Sequence, residues 1–437
     1  MKITMMRNCF AESFERKMNS ILSVSLLAAL YALAHCHHFP HHPTCEDDHK
    51  DTSHTEEPGV LNQACLKQGS SYADFTFRFY KQAILAEPNK NVFFSPVSIA
   101  TAFAMLAMGA KSATLTQIFE GMGFSLTEIQ EREIHESFHH HIHMMNCPNN
   151  KIQTSMGNAL FIATGFKPLQ KFLEDVKTFY EAELLSTNFL NSKEAEKQIN
   201  GYVEKKTHGK IPQLVGSLDP NTVMVLVNYI YFKAYWENPF DPFHTREEDF
   251  LVDEKTSVKI NMMHRENDYE SHYDEQLSCW LVEIPYSGSA KALFILPDEG
   301  KMKQVEDAFL KETVCKWEKL LKKRTINLYL PKFSISASYN VKLLFEKMGI
   351  TDVFSGHADL SGITGIPELH VSQAIHKTLL NVHENGTEAA AATAIIISKD
   401  FRPSVTIKFS RPFLLMIVDK ATLSTIFMGK IVNPTIK

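Results

Sequence analysis

One segment of this sequence has the residue types and spacing of a catalytic motif, His135-Glu136-Ser137-Phe138-His139. It matches H-E-x-x-H, in which two histidines one helical turn apart bind zinc and the glutamate activates water. Taken literally, the motif predicts a metalloprotease. The longer metzincin pattern fails, because Ile142 and Met145 stand where glycine and histidine are required. The segment is rich in histidine, so a chance match is common, and we expect no catalysis there; adventitious metal binding is the alternative.

A second segment of interest is the alanine-rich run of small side chains from Glu384 to Ala394. If this run paired as a strand, alternation would place Thr387 and two alanines on one face and Glu388 on the other. A segment whose inward face carries no charge can leave a loop and enter a sheet as a strand. A short helix is the alternative prediction, because alanine is the best helix former.

The elements around this run carry motifs in the order found in serpins, the serine-protease-inhibitor family, and the chain resembles that family from about Tyr72 to Lys437. It is most similar to the plasma antitrypsin group, which includes alpha-1-antitrypsin, kallistatin and the thyroxine- and corticosteroid-binding globulins. The motifs are Asn91–Ile99, Val227–Lys233 with Trp236, Leu330–Phe333, Ala358–Gly362, His376-Lys377, Gly386–Ala389, Arg411–Phe413 and Phe427–Pro434.

The resemblance implies a mixed α/β (α+β) serpin fold with three β-sheets, about nine helices and an exposed reactive-centre loop. It implies a protease inhibitor and not an enzyme. An extracellular serine protease cleaves the loop, which then inserts into the central sheet as an extra strand and carries the acylated protease with it. A non-inhibitory plasma hormone carrier of the thyroxine/corticosteroid-binding type is the alternative. The intact run through Ala394 favours inhibition, since small uncharged side chains avoid a desolvation cost on insertion.

The resemblance also assigns roles to particular residues. Four polar residues correspond to a cluster beneath the opening sheet, Trp236 lies at the top of that sheet, and Lys332 forms an ion pair with Glu384. The cluster comprises Ser95, Ser98, Asn228 and His376. The moving hinge comprises Glu384, Gly386, Thr387, Glu388, Ala389, Ala390, Ala391 and Ala392, with Gly386 providing backbone freedom.

The reactive bond is less well defined. The usual family spacing from Gly386 ends at Asp400, but the stretch from Gly386 to the Arg411–Phe413 motif is one residue longer than in antitrypsin, so the bond could be displaced. Lys399 would suit a trypsin-like protease and Phe401 a chymotrypsin-like one. The target therefore stays open among these classes, with an Asp-specific protease as a further alternative.

A basic cluster follows at helical spacing around Trp317 and Leu320. Relatives such as kallistatin bind heparin through the corresponding helix, so a heparin-like polysaccharide is a candidate partner; a solvated helix face is the alternative. The cluster comprises Lys316, Lys319, Lys322, Lys323 and Arg324. In contrast, the segment Thr127–His143 is rich in glutamate, and the resemblance places it on a surface helix.

One N-glycosylation sequon occurs, Asn385-Gly386-Thr387, within the hinge. A glycan is bulky beside a strand that must insert. Two alternatives follow: the sequon is unoccupied, or insertion is impaired and the protein is closer to a carrier. The sequon familiar from relatives is broken in this chain as Ser125-Leu126-Thr127.

The remaining organisation is that of a secreted protein. Residues 1–36 resemble a secretory signal, with Met18 as an alternative start. Residues 37–70 are polar and rich in histidine, which predicts a disordered tail before a serpin domain at 71–437. The formal net charge of −5 argues against nucleic-acid binding. We expect a monomer without cofactor, metal or membrane attachment, and buried single thiols at Cys279 and Cys315.

Overall fold

The computed structural model describes residues 58–146, 152–387, 404–420, 422 and 424–436. The predicted signal, most of the predicted tail, the hinge from Glu388 to Ala392 and the candidate reactive-bond residues lie outside the described residues. Those reactive-bond residues are Lys399, Asp400 and Phe401.

Ten α-helices occur among the described residues. In chain order they are α1 Pro58–Ala86, α2 Pro96–Ala107, α3 Ser112–Gly121, α4 Glu131–Asn146, α5 Gln170–Tyr180, α6 Ser192–Lys206, α7 Met302–Ala308, α8 Lys311–Leu320, α9 Lys342–Lys347 and α10 Ser361–Thr364.

Fourteen β-strands accompany these helices in the described ranges. They are β1 Val92–Phe94, β2 Ile152–Ala163, β3 Glu183–Thr187, β4 Met224–Ala234, β5 Arg246–Leu251, β6 Ser257–Asp274, β7 Cys279–Pro285, β8 Ala290–Pro297, β9 Lys322–Pro331, β10 Phe333–Asn340, β11 Gln373–Val382, β12 Val405–Lys408, β13 Phe413–Asp419 and β14 Ser424–Ile431.

The strands form two hydrogen-bonded sheets. The five-stranded sheet has the order β10-β11-β4-β2-β3, and the nine-stranded sheet has the order β1-β14-β13-β8-β7-β6-β9-β12 with β5 paired to β6. Strand β6 is 18 residues long and pairs with β5, β9 and β7 in different parts of its length. This one strand joins groups of strands that would otherwise count as separate sheets, which is why two sheets are found where three were expected.

Helix α2 lies in the core between the two sheets. Its twelve residues are all buried, as expected for a helix that is apolar on every side. Ser95 caps its first turn by accepting a hydrogen bond from the Ser98 amide, and Pro96 occupies the first helical position, where no amide proton is needed. The helix therefore presents its capped N-terminus at a fixed point beneath the five-stranded sheet.

The mixed α/β fold class is confirmed, and ten helices in the described part agree with the expected number of about nine. One boundary differs. Helix α1 begins at Pro58, so residues 58–70 are helical and do not belong to a disordered tail. Proline is favoured at the first helical position, and the leucine, glutamine and alanine residues that follow it are good helix formers. Among the described residues, no helix is both long and apolar enough to cross a membrane.

Candidate functional site

The alanine-rich segment begins in a tight turn at the end of β11. His383 and Gly386 exchange both backbone hydrogen bonds, at 2.7 and 3.1 Å, so that Glu384 and Asn385 form the turn between them. The carbonyl of Asn385 accepts a hydrogen bond from the Trp236 amide at 2.9 Å. The chain therefore reverses direction here and enters the space beside β4.

Glycine is the only residue type that fits at position 386. Its φ angle is 139°, and a Cβ atom would lie 2.1 Å from the carbonyl oxygen of Ala234. Both the backbone conformation and the close approach exclude a side chain. The predicted need for glycine at the start of the hinge thus has a specific cause, which is direct contact with the end of β4.

Thr387 lies inside the protein. Its side chain is fully buried, and its amide donates to the Ala234 carbonyl at 2.5 Å. Its hydroxyl donates to the Tyr286 hydroxyl at 3.0 Å. Tyr286 stacks on Trp236 with 4.3 Å between ring centroids, and burial raises the pKa of the tyrosine, which keeps it a neutral phenol. Thr387 thus faces the interior before any insertion, whereas the sequence-based prediction concerns its orientation in the inserted strand; its partner Tyr286 is not predicted from the sequence.

The position of this hinge is best seen in the pairing of β4 with β11. These parallel strands are paired from Gln373–Val225 up to Leu379–Tyr231, whereas β11 continues to Val382 and β4 to Ala234. Gly386 bridges Tyr235 in antiparallel sense above the last pair. The two strands therefore separate at one end, and the first hinge residues occupy the opening.

An ion pair holds the turn from the side. Lys332 lies 3.0 Å from the carboxylate of Glu384, which also accepts a hydrogen bond from the Thr245 hydroxyl at 2.9 Å. Burial alone would raise the pKa of this carboxyl, but hydrogen bonds from its own amide, Lys332 and Thr245 hold the pKa below its usual value. Trp236 donates its indole N–H to the His383 carbonyl at 3.0 Å. Trp236, Lys332 and Glu384 are thus brought together as expected.

Beneath the paired part of β4 and β11 the predicted polar cluster is assembled. Nε2 of His376 accepts a hydrogen bond from the Ser95 amide at 3.0 Å, so the ring proton resides on Nδ1 and is donated to Oδ1 of Asn228 at 2.5 Å. Burial lowers the pKa of His376 to about 3, which keeps the ring neutral. This side-chain hydrogen bond directly links the two strands.

The Asn228 amide completes the cluster. Its Nδ2 donates to Oγ of Ser98 at 2.7 Å and to Oδ1 of Asn158 at 2.7 Å. Asn158, on β2, was not predicted, although a lone amide in an otherwise apolar part of a strand is a detectable signal. All four predicted cluster residues and Asn158 are buried. The buried polar groups are mutually satisfied, as a closed interior requires.

The predicted single basic helix is not found. Lys316 and Lys319 lie on α8, which ends at Leu320, whereas Lys322, Lys323 and Arg324 belong to β9. Helical spacing fails because β9 pairs with β6 and its apolar residues alternate with period two. Lys316 donates to the Gln276 side chain at 3.1 Å, and Lys323 is directly opposite Glu270. The basic residues therefore share a helix–strand corner.

The histidine-rich helix α4 also differs from expectation. His135 is buried against the aromatic rings of Phe119, Phe179 and Tyr180, and its Nδ1 lies 2.5 Å from the Tyr180 hydroxyl. Arg132 pairs with Glu136 at 2.5 Å. Helix α4 lies at the surface as expected, with Glu131, Arg132 and His143 exposed, but the first histidine of the zinc-like motif is on its buried face and packs into the core. In the described part of the chain, no three histidine, cysteine, aspartate or glutamate residues are grouped to hold a metal ion.

The two later cysteines have different environments. Cys279 is buried and burial raises its pKa to about 12, whereas Cys315 on α8 is exposed. The expectation of a buried thiol is wrong for Cys315, because α8 buries only Trp317.

Comparisons with known proteins agree with this arrangement. The alpha-1-antiproteinase of Callosciurus caniceps is 48% identical over 373 residues, which are 85% of this chain and 90% of that protein. The structure of human thyroxine-binding globulin complexed with its hormone has a TM-score of 0.82 at 45% identity, covering 85% of this chain and 100% of that one. Human glycosylated kallistatin has a TM-score of 0.81 at 44% identity, covering 85% and 99%. Residues 70–434 match the family profile named Serpin (serine protease inhibitor), and the chain therefore belongs to the serpin family.

Proposed function

We propose that this protein is a secreted inhibitor of serine proteases that is cleaved in its reactive loop and inserts that loop between β4 and β11. The observation that carries the proposal is the opening between these strands. Their pairing stops at Leu379 and Tyr231, and Thr387 is already buried in the space above. A site that accepts the first residues of the alanine-rich run is the site where the rest of the run would enter.

The chemistry of the run supports insertion. Thr387 and the alanines after it have small, uncharged side chains, so entering the sheet leaves no charge buried without a partner. Insertion would add ladder hydrogen bonds and bury apolar surface, and this gain is the free energy that would drive the change.

The cluster under the sheet supports opening. The hydrogen bond from His376 to Asn228 joins β11 to β4 and would break when a strand enters between them. Ser95 and Ser98, at the fixed N-terminus of α2, lie within hydrogen-bonding distance of these two side chains. They offer partners that do not move with either strand, which lowers the cost of opening.

This chain's residues play no catalytic part in the proposed mechanism. The target enzyme attacks the loop, with Lys399, Asp400 and Phe401 as the candidate residues at the bond. Secretion is supported by the signal-like residues 1–36, in which a short apolar stretch follows Lys17 and ends in small residues.

The direct test is incubation of the purified protein with trypsin-like, chymotrypsin-like and Asp-specific serine proteases. We expect an SDS-resistant adduct with one class and release of a C-terminal fragment whose mass locates the bond. The control is Thr387→Arg, which places a cation in a fully buried position at a cost of several kcal/mol. This variant should be cleaved while the protease stays active. If Thr387→Arg formed as much adduct per cleaved chain as wild type, the inward position of Thr387 in the inserted strand would be contradicted.

Thermal unfolding provides an independent test. A chain cleaved between Ile395 and Arg402 should melt at a higher temperature than the intact chain, because the inserted strand adds pairing and burial. An unchanged melting temperature after a verified cleavage would contradict inhibition by insertion.

Hormone carriage is the second candidate function. It is favoured by the likeness to thyroxine-binding globulin, solved with thyroxine bound, across the whole length of that chain. Titration with thyroxine and with a corticosteroid decides between the two. Saturable hormone binding, together with the absence of any protease adduct, would show that the protein is a hormone carrier and not an inhibitor.

A sulfated polysaccharide is a candidate partner for the basic corner formed by α8 and β9. Binding would be electrostatic, so retention on heparin should fall steeply with salt. Replacing Lys319, Lys322 and Lys323 by glutamate should remove most of the retention at neutral pH. Unchanged elution of this triple variant would leave the corner as a solvated surface.

A further inference from the structure

The sequon Asn385-Gly386-Thr387 occupies an unusual place for a glycosylation signal. Sequons that receive a glycan lie on surface loops, because the transferring enzyme must reach the asparagine and read the hydroxyl two residues later. In this protein the three residues form the turn after β11 and the first contact with the end of β4. The sequon therefore lies at the edge of the opening between β4 and β11.

The threonine of the sequon is closed to an enzyme. Its side chain has no exposed surface, and its hydroxyl donates to Tyr286 at 3.0 Å. Tyr286 is itself buried and stacked on Trp236. A transferase can contact this hydroxyl only after Thr387 leaves the sheet and the bond to Tyr286 is broken.

The backbone of the sequon is held as well. The Trp236 amide donates to the Asn385 carbonyl, Gly386 is paired with His383, and the Thr387 amide donates to Ala234. In addition, Gly386 lies in direct contact with the end of β4. An extended, accessible sequon would have to break these contacts together, since they bind one short segment to the neighbouring ends of β4 and β11.

We propose that Asn385 is a conditional N-glycosylation site, which accepts a glycan only while the hinge is outside the sheet and which closes when Thr387 docks against Tyr286. Asn385 Nδ2 bonds to the anomeric carbon of an oligosaccharide carried on a lipid diphosphate. The bond from that carbon to the diphosphate oxygen breaks, the lipid diphosphate leaves with the electron pair, and a base of the transferase takes the amide proton. The inference is independent of the proposed inhibitory function.

The chain offers a matched control sequon. The substitution Ser125→Asn completes an N-x-T signal over positions 125–127, where position 125 is partly exposed and Thr127 is exposed. The hydroxyls of Ser125 and Thr127 contact only each other, at 2.7 Å, among the hydrogen bonds of this segment's side chains. A folded Ser125→Asn chain thus carries one open and one closed sequon with the same acceptor residue type.

The experiment uses the full chain with Ser125→Asn, produced without glycans, folded, and incubated with an oligosaccharyltransferase and a lipid-linked oligosaccharide. Peptide mass spectrometry gives the initial rate at each asparagine. We expect modification at the substituted position 125 and a rate at Asn385 lower by at least about tenfold, which corresponds to a local opening free energy above about 1.4 kcal/mol. A synthetic peptide covering residues 380–392 should be modified readily.

Two results would overturn the proposal. One is equal rates at the substituted position 125 and at Asn385 in the folded chain, which would show that docking does not close the site. The other is failure of the peptide to be modified, which would show that the sequon is a poor acceptor for reasons other than burial. Tyr286→Phe in the same background, which removes the acceptor of the Thr387 hydroxyl, should raise the rate at Asn385; an unchanged rate would also overturn it.

Discussion

One strand pair in each of the two sheets shows a different kind of side-chain contact. In the nine-stranded sheet, Ile295 on β8 lies directly opposite Leu414 on β13, and both side chains are fully buried. In the five-stranded sheet, His376 on β11 lies directly opposite Asn228 on β4, and a side-chain hydrogen bond joins them. Apolar contact holds the first pair and polar contact the second.

This difference bears on which sheet would open in the proposed insertion. Separating apolar strands exposes their side chains to water, which costs free energy in proportion to the area exposed. Separating a hydrogen-bonded pair costs little if new partners are at hand. Ser95, which caps α2, and Ser98, in its first turn, already lie beside His376 and Asn228. The proposed insertion would therefore separate a strand pair whose polar side chains have other partners nearby, and it would leave the apolar pairs of the nine-stranded sheet in place.

The largest effect is expected in the nine-stranded sheet. Ile295→Ala should lower the free energy of unfolding by about 2–5 kcal/mol, because it leaves a cavity between β7, β8 and β13. The loss should be equal in the intact and loop-cleaved forms, measured by urea unfolding of each. Ile295→Leu, which keeps the volume, is the control and should cost less than about 1.5 kcal/mol. Unequal losses in the two forms would show that this sheet also changes.

Acid should weaken both regions. Burial lowers the pKa of His376 to about 3 and of His141 to about 4, where His141 contacts Ser424 of β14 at 3.3 Å and Asp419 opposes the shift. In the unfolded chain both histidines have a pKa of about 6.5 and bind protons more readily than in the folded chain. Their effect on the free energy of unfolding is therefore absent above that pH, and stability is lost as the pH falls from about 6.5 toward the folded-state pKa values. From pH 7 to about pH 5 each should cost about 2 kcal/mol.

Urea unfolding of wild type and of single histidine variants at both pH values measures this effect. Replacing His376 or His141 by glutamine should flatten the pH dependence, whereas His143→Gln, on the exposed side of α4, should leave it unchanged. A double variant lacking His376 and His141 whose pH dependence equals that of wild type would contradict the assignment.

A smaller effect is expected at the joint between β4 and β11. Asn228→Ala leaves the hydrogen-bonding groups of His376, Ser98 and Asn158 without their partner, at a cost of about 1–3 kcal/mol. The intact and cleaved forms should lose different amounts, because the strands are separated in only one of them. Asn221→Ala, at an exposed position, is the control and should change stability by less than about 0.5 kcal/mol. Identical losses in both forms would remove the distinction between the sheets.

The smallest effect concerns the docked hinge. Tyr286→Phe and Thr387→Val should each cost about 1 kcal/mol, and the double variant should cost no more than one of them, since both remove the same hydrogen bond. Hydrogen exchange at the backbone amide of residue 387 should rise in all three variants. Additive losses in the double variant would show that the two hydroxyls act separately.

Much of the site could be predicted from the sequence. Gly386, Thr387, Asn228 and His376 lie in local patterns that resemble those of the family, and their types suit a moving strand and a buried hydrogen-bonded cluster. The resemblance also placed Trp236 beside the ion pair of Lys332 and Glu384. The positions of these residues could be anticipated because each depends on a residue type within a recognisable segment, and their roles in insertion stay predictions.

The unpredicted residues are those whose role arises from long-range contact. Tyr286 is 101 positions from Thr387, and Asn158 is 70 positions from Asn228, so no local periodicity relates them. The basic cluster was misassigned for a related reason. The basic residues keep helical spacing beyond Leu320, but the helix ends there, and pairing with β6 makes the chain extended from Lys322 onward. His135 looked polar in sequence and is buried because Tyr180 provides a hydrogen-bond partner.

The two bridges at Gly386 have a kinetic consequence for the proposed insertion. Gly386 bridges His383 and Tyr235, both in antiparallel sense. An entering strand would therefore run antiparallel to β11 and to β4, and the one parallel pairing of β4 with β11 would be replaced by two antiparallel pairings. Because the first rungs already exist, the register of every later residue is set before cleavage, and a slip by one residue would turn Thr387 outward. Insertion would then proceed by propagation alone, without a nucleation step, and its rate would depend on how fast the strands separate ahead of the incoming alanines.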